Sequence, residues 1–490
     1  MQGIAEKLEW IQLSLGYFLP ELMLCISVLV LLLASLFTKA QGRVTDTVAL
    51  SFFTGTFILS LLQYHEVSYN IPLFSGMLRL SNFPIYLKIL IDLAAVLTVL
   101  LSYSQQERKG EYYALIATAT LGAHLLVMSS HLVMAFLALE LISLPSYALA
   151  AFGFQKKSME AALKYFLFGS VASAIMLYGM SMLYGQTLTL DFTSTEFVQA
   201  IFSGQNYFLI MSVCFVLVGF LFKMSSAPVH PWAPDVYEAS PTPVVAFFSV
   251  VPKLAGLGIL IHFVQVLNMN GSSSIRWYVI ISLIAMLTLI VGNFAALLQK
   301  NPKRMMAYSS IAQSGFLLIG AITLTEQGIV VMLYYATAFL LANYLVFWYI
   351  AYFERQAVVE IGDYAGVGRT YPYASIMLLI GLVSLTGLPP TAGFMAKLFI
   401  FSSLWTSYEN TQAIIYLMVF FVGLLNTVVS LFFYLKIPYQ AFLKAESQPL
   451  TIKKSVLVNF FGLIVVIMLL VLFFMPSGLM GWLNRINFAF

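Results

Sequence analysis

Six ionisable side chains stand in apolar surroundings. Glu140 lies in HLVMAFLALELISLPSYALAAF, Lys164 in MEAALKYFLFGSVASAIMLYGM and Lys223 in CFVLVGFLFKMSSAPVHPWAPDVYE. Lys253 lies in PTPVVAFFSVVPKLAGLGILIHF, Lys397 in IMLLIGLVSLTGLPPTAGFMAKLFIF, and Lys88 in another such run. A charge at bilayer depth costs about 3 kcal/mol or more unless it is paired, hydrated or neutralised. One acid–base pair would suffice to tie helices together, whereas surplus cations add repulsion. The same set suits proton transfer. A desolvated lysine visits charged and neutral forms, and a carboxylate that moves away or takes up a proton lets the lysine release its own. A static salt bridge remains the plainer reading for any one of these residues taken alone.

Proline supplies the second ingredient. Lys223 is followed by Pro228, Pro231 and Pro234, and Pro389–Pro390 precede Lys397 between Gly387 and Gly393. Proline removes a backbone donor and clashes with the preceding turn, so both segments are expected to break. Broken backbone inside a membrane is tolerated only against protein or a hydrated cavity, and such breaks in corresponding halves point to transport sites. Pro252 before Lys253 is expected to add a third distortion, and Pro145 follows Glu140 by five residues. His124, His131 and His262 are candidate polar links, because histidine titrates near neutrality; hydrogen-bonded packing is the alternative for each. Lys88 and Asp92, on neighbouring turns, are expected to form a local pair. Cys25 and Cys214 make no metal-ligand pattern.

The elements that must carry these residues follow from composition. Of 490 residues, 61% are hydrophobic and 9% charged, against roughly 25% charged in soluble proteins. Mean hydropathy is +0.92. The chain is therefore read as an all-α polytopic membrane protein. A helix needs about 20 residues to cross the hydrocarbon. Candidate spans are 17–37, 47–63, 84–103, 112–129, 131–152, 161–184, 207–227, 241–266, 276–298, 306–323, 327–350, 371–402, 411–434 and 455–477, fourteen in all. The first lacks a basic leader and a cleavage pattern and is read as a retained helix. Odd-numbered connections carry fifteen Lys and Arg residues, among them Lys39, Arg43, Arg108, Lys109, Lys300, Lys303, Arg304, Lys453 and Lys454. Even-numbered connections and the termini carry four, Lys7, Arg79, Arg276 and Arg485. Positive charge collects on the cytoplasmic side, so both termini are expected on the periplasmic side. The sequence contains neither a GxGxxG nor a GxxxxGK[ST] phosphate loop, and nucleic-acid binding is not expected.

Five blocks carry a family likeness: ALELISLPSYALAAF, KKSMEAALKYFLFGSVASAIMLYGMSMLYG, FKMSSAPVHPWAPDVYEASPTPVVAFFSVVPKLAG, NPKRMMAYSSIAQSGFLLIG and SLTGLPPTAGFMAKLF. Together they resemble the antiporter-like membrane subunits, subunit N in particular, of bacterial proton-pumping NADH:quinone oxidoreductase (respiratory complex I), over most of residues 80–440. The resemblance implies fourteen helices with discontinuous helices 7 and 12. It implies N-terminal helices 1–3 over residues 1–110, inverted five-helix repeats over 111–266 and 267–440, and a C-terminal helix over 441–490. The repeat boundary is expected near 267–275.

By motif, the resemblance makes Glu140 the helix-five carboxylate and Lys223 its partner on the first broken helix. Lys253 becomes the central lysine, and Lys397 the lysine of the second broken helix, near the outward exit. Lys164 matches a further family lysine. Gln313 stands where the family often has histidine and organises water without titrating. Pro228, Pro231, Pro389 and Pro390 mark the breaks. The resemblance implies no cofactor in this chain. Flavin, iron–sulfur clusters and quinone belong to partner subunits, reached through other membrane subunits and a peripheral redox arm in the bacterial inner membrane and its lipid. A Mrp-like sodium/proton antiporter subunit and a non-pumping membrane scaffold are the alternatives.

Overall fold

The computed structural model of the chain describes residues 11–37, 42–67, 69–103, 110–203, 207–268, 276–445 and 456–486. Lys7, Lys39, Arg108, Lys109, Lys453, Lys454 and residues 269–275 of the expected repeat boundary lie outside the described residues. Apart from one short hairpin, the described residues are helices and their connections. Two compact units emerge, one of Met1–Met224, Val250–Trp277 and Ile486–Phe490, the other of Ser225–Ser249 and Tyr278–Arg485.

The first unit begins with α1 (Leu19–Phe37) and α2 (Gly42–Glu66), then β1 (Ile71–Leu73) and β2 (Leu78–Leu80). It continues through α3 (Asn82–Tyr103), α4 (Gly110–Met128), α5 (Leu132–Ala151), α6 (Lys156–Thr187), the short α7 (Thr195–Ser203) and α8 (Tyr207–Lys223). The strands pair antiparallel with Ile71 opposite Leu80, and their turn uses positive φ at Phe74, Ser75 and Gly76. Helix α2 is longer than the short span expected from hydropathy. Its polar first turns are accommodated by packing, for Asp46 is buried and accepts a hydrogen bond from Tyr113 on α4. Helices α4 and α5 almost touch in sequence, and they also approach closely in space. A Cβ on Gly122 would lie 2.9 Å from the Ile142 backbone nitrogen, so only a glycine lets these backbones come so near.

The chain then forms α9 (Trp232–Ala239), α10 (Thr242–Asn268), α11 (Trp277–Ala296), α12 (Pro302–Ile322) and α13 (Glu326–Glu354). The rest is α14 (Val367–Thr370), α15 (Pro372–Thr386), α16 (Ala392–Thr411), α17 (Ile414–Tyr434), α18 (Lys436–Leu443), α19 (Val456–Phe474) and α20 (Pro476–Leu483). The chain passes between the units after Met224, within α10 after Ser249, after Trp277 and after Arg485. Local chemistry sets several of these ends. Asn301 caps α12 by accepting from the Lys303 and Arg304 amides at 2.9 and 3.1 Å, with Pro302 at the first helical position. Thr325 caps α13 by accepting from the Gly328 amide at 3.1 Å. Within the second unit, α12 and α13 are almost wholly enclosed by protein, whereas α11 and α17 leave large apolar side chains exposed.

Among the described residues, eleven helices are long and apolar enough to cross a membrane, or twelve if the pair α19–α20, bent by 80°, counts as one span. Helices α8 and α15 are apolar but shorter. Each ends at a stretch of proline-containing, non-helical backbone. After α8 the chain leaves helical geometry from Met224 until α9, with a cis Ala227–Pro228 bond and Pro231 at the cap of α9. After α15 it turns through Gly387, at φ +87°, and a cis Pro389–Pro390 bond before α16 starts. The expected third distortion at Pro252 does not break its helix, since α10 runs through it, as α5 runs through Pro145. A lone proline deletes one ladder bond, which a helix enclosed by neighbours tolerates.

Candidate functional site

Lys223 is the last residue of α8, and its Nζ is buried without a hydrogen-bond partner. Three aromatic rings surround it, Tyr147 of α5, Tyr165 of α6 and Phe222, with centroids 5.9, 5.7 and 5.6 Å from Nζ. Such faces attract a cation when water is excluded. Tyr147 has room because Gly169 on α6 lacks a side chain; a Cβ there would collide with the Tyr147 hydroxyl. Glu140, two turns before Tyr147 on α5, is half-buried and accepts a hydrogen bond from Ser173 of α6. No hydrogen bond joins it to Lys223, whose Nζ has none.

Lys253, fully buried on α10, donates to the Met224 carbonyl at 3.0 Å. That carbonyl is the first one beyond α8, at the break. Lys397, buried on α16, donates to the Thr386 carbonyl at 2.7 Å, the last residue of α15 and the start of the other break. The parallel has a physical cause. An interrupted helix leaves terminal carbonyls unsatisfied and a partial negative charge at its C-terminus, and an ammonium answers both. Lys397 also lies over the Phe316 ring, 4.5 Å from its centroid. Gly387 and Gly393 make the second break possible. A Cβ on Gly387 would sit 2.6 Å from Lys397 Cδ, and one on Gly393 would collide with the Ser384 carbonyl oxygen.

Gln313 of α12 and Lys397 line one small cavity of about 10 Å³ with Tyr335, Ser384 and Leu385, room for about one water molecule. Gln313 Nε2 donates to the Leu385 carbonyl and to the Tyr434 hydroxyl, both at 3.1 Å, while Tyr335 donates to its Oε1. The amide is therefore oriented from three sides.

The other expected residues have more varied settings. Lys164 is half-exposed and pairs with Glu160 one turn away at 3.0 Å, so it lies at the edge of the buried set. His131 caps α5, its Nδ1 accepting from the Val133 amide at 3.2 Å. Partial burial pushes its imidazole below the ordinary histidine value, with Asp191 opposing. His262 is buried on α10 with its ring 5.2 Å from that of Phe83.

His124 belongs to a cluster only partly visible in the sequence. Lys88 reaches Glu21 of α1 at 2.6 Å, and the expected partner Asp92 bonds His124 instead. Glu21, near the start of a long apolar run, carried no periodic signal that would have paired it.

Lys303 and Arg304, counted above as loop charges, occupy the first turn of α12 and are paired. Lys303 meets Glu354 at 2.8 Å and the Ser240 carbonyl at 3.1 Å. Arg304 meets Asp235 and Glu238 of α9, each at 2.8 Å. They tie α9 to α12 and α12 to α13. Among the described residues, no three His, Cys, Asp or Glu side chains are arranged to hold a metal ion.

These features define a class: a multi-pass helical membrane protein whose buried lysines are held at interrupted helices. The family described as NADH:quinone oxidoreductase/Mrp antiporter, TM, matches residues 129–425. NADH-quinone oxidoreductase subunit N of Chlorobium chlorochromatii is 34% identical over 460 residues, covering 91% of this chain and 88% of that protein. Subunit N 2 of Chloroherpeton thalassium is 39% identical over 386 residues, covering 76% and 74%. A chain of respiratory complex I from Thermus thermophilus superposes with a TM-score of 0.80 at 28% identity, over 96% of this chain and all of that one. A chain of the Mrp complex from Dietzia shares the fold, with a TM-score of 0.82 at 18% identity over 96% of each chain. The chain therefore belongs to the NADH-quinone oxidoreductase subunit N/Mrp antiporter-like family of membrane proteins.

Proposed function

We propose that this chain is a proton-translocating membrane subunit of an NADH:quinone oxidoreductase, with Glu140, Lys223, Lys253 and Lys397 as the groups that carry the proton. The observation that supports this most is the paired arrangement at the two breaks, where Lys253 and Lys397 each donate to a carbonyl freed by an interrupted helix. A cation held this way keeps a partner when a neighbouring carboxylate moves, so it can change charge without being stranded in hydrocarbon. A change passed along the partner subunits alters the coupling of Glu140 to Lys223. The proton affinity of Lys223 changes, and a proton passes through Lys253 to Lys397 and outward. Gln313 orders water beside Lys397, and Lys164, His124, His131 and His262 are auxiliary.

On this reading the interrupted segments α8–α9 and α15–α16 each count as one span, which with α19–α20 makes fourteen. They stand in corresponding places of inverted repeats over 111–266 and 267–440, after helices 1–3 (1–110) and before the C-terminal segment (441–490). Both termini face the periplasm of a bacterial inner membrane. Partner subunits bear the flavin, iron–sulfur and quinone chemistry, and neighbouring membrane subunits cover exposed apolar faces such as that of α6. Replacing Lys223 or Glu140 by Ala in the native complex should lower the proton-to-electron ratio while assembly persists. Unchanged stoichiometry in both assembled variants would overturn the site. Sodium exchange without NADH dependence would favour the Mrp-like reading, and loss of assembly in every charge variant would favour a scaffold.

A further inference from the structure

Four charged or titratable side chains from three helices meet in the first unit, away from the residues assigned above to the relay's main line. Glu21 of α1, Lys88 and Asp92 of α3 and His124 of α4 all have zero solvent exposure. Lys88 Nζ is 2.6 Å from Glu21 Oε1 and donates to Gln63 Oε1 of α2 at 2.7 Å. His124 Nδ1 is 3.0 Å from Glu21 Oε1, and His124 Nε2 is 3.0 Å from Asp92 Oδ1. Asp92 Oδ2 accepts from Ser60 of α2 at 2.7 Å. Gln63 donates onward to the Tyr17 carbonyl at 2.6 Å.

We infer that Glu21, Lys88, Asp92 and His124 form a second proton-binding site, which holds one proton on the imidazole bridge between two carboxylates. The inference follows from hydrogen-bond arithmetic. An ionised carboxylate only accepts, and a neutral imidazole has one donor and one bare lone pair. With carboxylate oxygens 3.0 Å from both ring nitrogens, a neutral ring would aim one lone pair at another. Either the ring is imidazolium or one carboxyl is protonated. Both states hold one proton more than neutral histidine beside two carboxylates.

Charge balance demands the same proton. Glu21, Asp92 and Lys88 sum to minus one, and the extra proton brings the enclosed cluster to zero. An unbalanced charge there would carry the full desolvation penalty. Among the described side chains, the other charged groups on the helices packed around it are engaged elsewhere or lie at exposed ends. Asp46 of α2 is bonded by Tyr113, Glu140 of α5 by Ser173, and Glu111, His65 and Glu66 sit at exposed helix ends. One acceptor remains open, for Glu21 Oε2 is buried with no partner and can receive the proton or a water that carries it. Lys88 and Asp92 lie about 9 and 15 Å along α3 from its start, at 1.5 Å per residue. Glu21 lies in the first turn of α1 and His124 in the second-to-last turn of α4, so the site reaches from one end of these helices into the span.

The inference does not rest on the Glu140–Lys223 relay. Its test uses the full chain in lipid nanodiscs, with 15N in the rings of its five histidines and 13C in the Asp and Glu carboxyls. Solid-state NMR would assign His124 through its couplings to two carboxyl carbons in the wild type, so no variant need fold for the first reading. Two protonated ring nitrogens at neutral pH, or one protonated nitrogen beside a protonated Glu21 or Asp92 carboxyl, support the site. One bare nitrogen with both carboxyls ionised overturns it. In Asp92→Asn the asparagine amide can donate to Nε2 and the charges balance without the proton. The ring should then lose it and show one protonated and one bare nitrogen. Retention of two protonated nitrogens in that variant would equally overturn the assignment.

Discussion

Tyr147 is where the environment of Lys223 is most open to a conservative test. Its ring is one wall of the aromatic enclosure, and its hydroxyl occupies the space that Gly169 leaves empty. Gly169→Ala should push the ring away and disturb how Lys223 is held, without touching any charge. Misplacement by about 1 Å at a working centre costs up to ~100-fold, so proton pumping by the assembled complex should fall by about tenfold. Adding Tyr147→Phe removes the colliding oxygen and should recover part of the loss. A double variant no better than Gly169→Ala alone, measured as proton-to-electron ratio in proteoliposomes, would show that the contact does not matter. The logic is that of a double-mutant cycle, in which neighbours in contact are expected to depart from additivity.

At the scale of the element, the two interruptions are built differently but end alike. The first uses Pro228 and Pro231, with Ser225 at φ +54°, and delivers the Met224 carbonyl to Lys253. The second uses Gly387 at φ +87° ahead of Pro389 and Pro390, and delivers the Thr386 carbonyl to Lys397. A side chain at a left-handed position costs about 1–2 kcal/mol, and at Gly387 it would also press on the Lys397 stem. Gly387→Ala should therefore destabilise the chain by about 1–2 kcal/mol or more and displace Lys397. Thermal unfolding in nanodiscs would register the first effect, and reduced pumping by whatever complex assembles would register the second. Unchanged stability and pumping would mean that this turn is not what positions the lysine.

For the whole molecule, the charge count argues an orientation that labelling can test. In a background with Cys25→Ser and Cys214→Ser, single cysteines at Ser75, in the β1–β2 turn, and at Gln155, before α6, should lie on opposite sides of the membrane. A membrane-impermeant maleimide added to intact cells should label the Ser75 position and spare Gln155. The reverse pattern would invert the topology, and labelling of both would undo the alternation on which the count of spans depends. Pairing refines the charge argument without removing it. Lys303 and Arg304 are neutralised by Glu354, Asp235 and Glu238, yet they remain at the helix end that the loop count assigned to the cytoplasmic side.

Much of this was legible in the chain itself, because its causes are local. Twenty apolar residues in a row force a helix in hydrocarbon, and Pro389–Pro390 or Pro228 with Pro231 stop one wherever they occur. Lysines at 253 and 397 stand out because nothing else in their runs is charged, and Lys223 because the acids in its run, Asp235 and Glu238, lie beyond the prolines. The partners of the buried charges were not legible. Lys88 is nearest in sequence to Asp92 but reaches Glu21, sixty-seven positions earlier, and Lys164 shares its apolar surroundings with Lys223 but is half-exposed while Lys223 is buried. A soluble helix announces its inner face by an apolar stripe. Lipid tails are as apolar as a protein core, so a membrane helix is apolar all round and its sequence does not say which face meets protein. Only the packing of one helix on another chose those faces, and with them which charges meet.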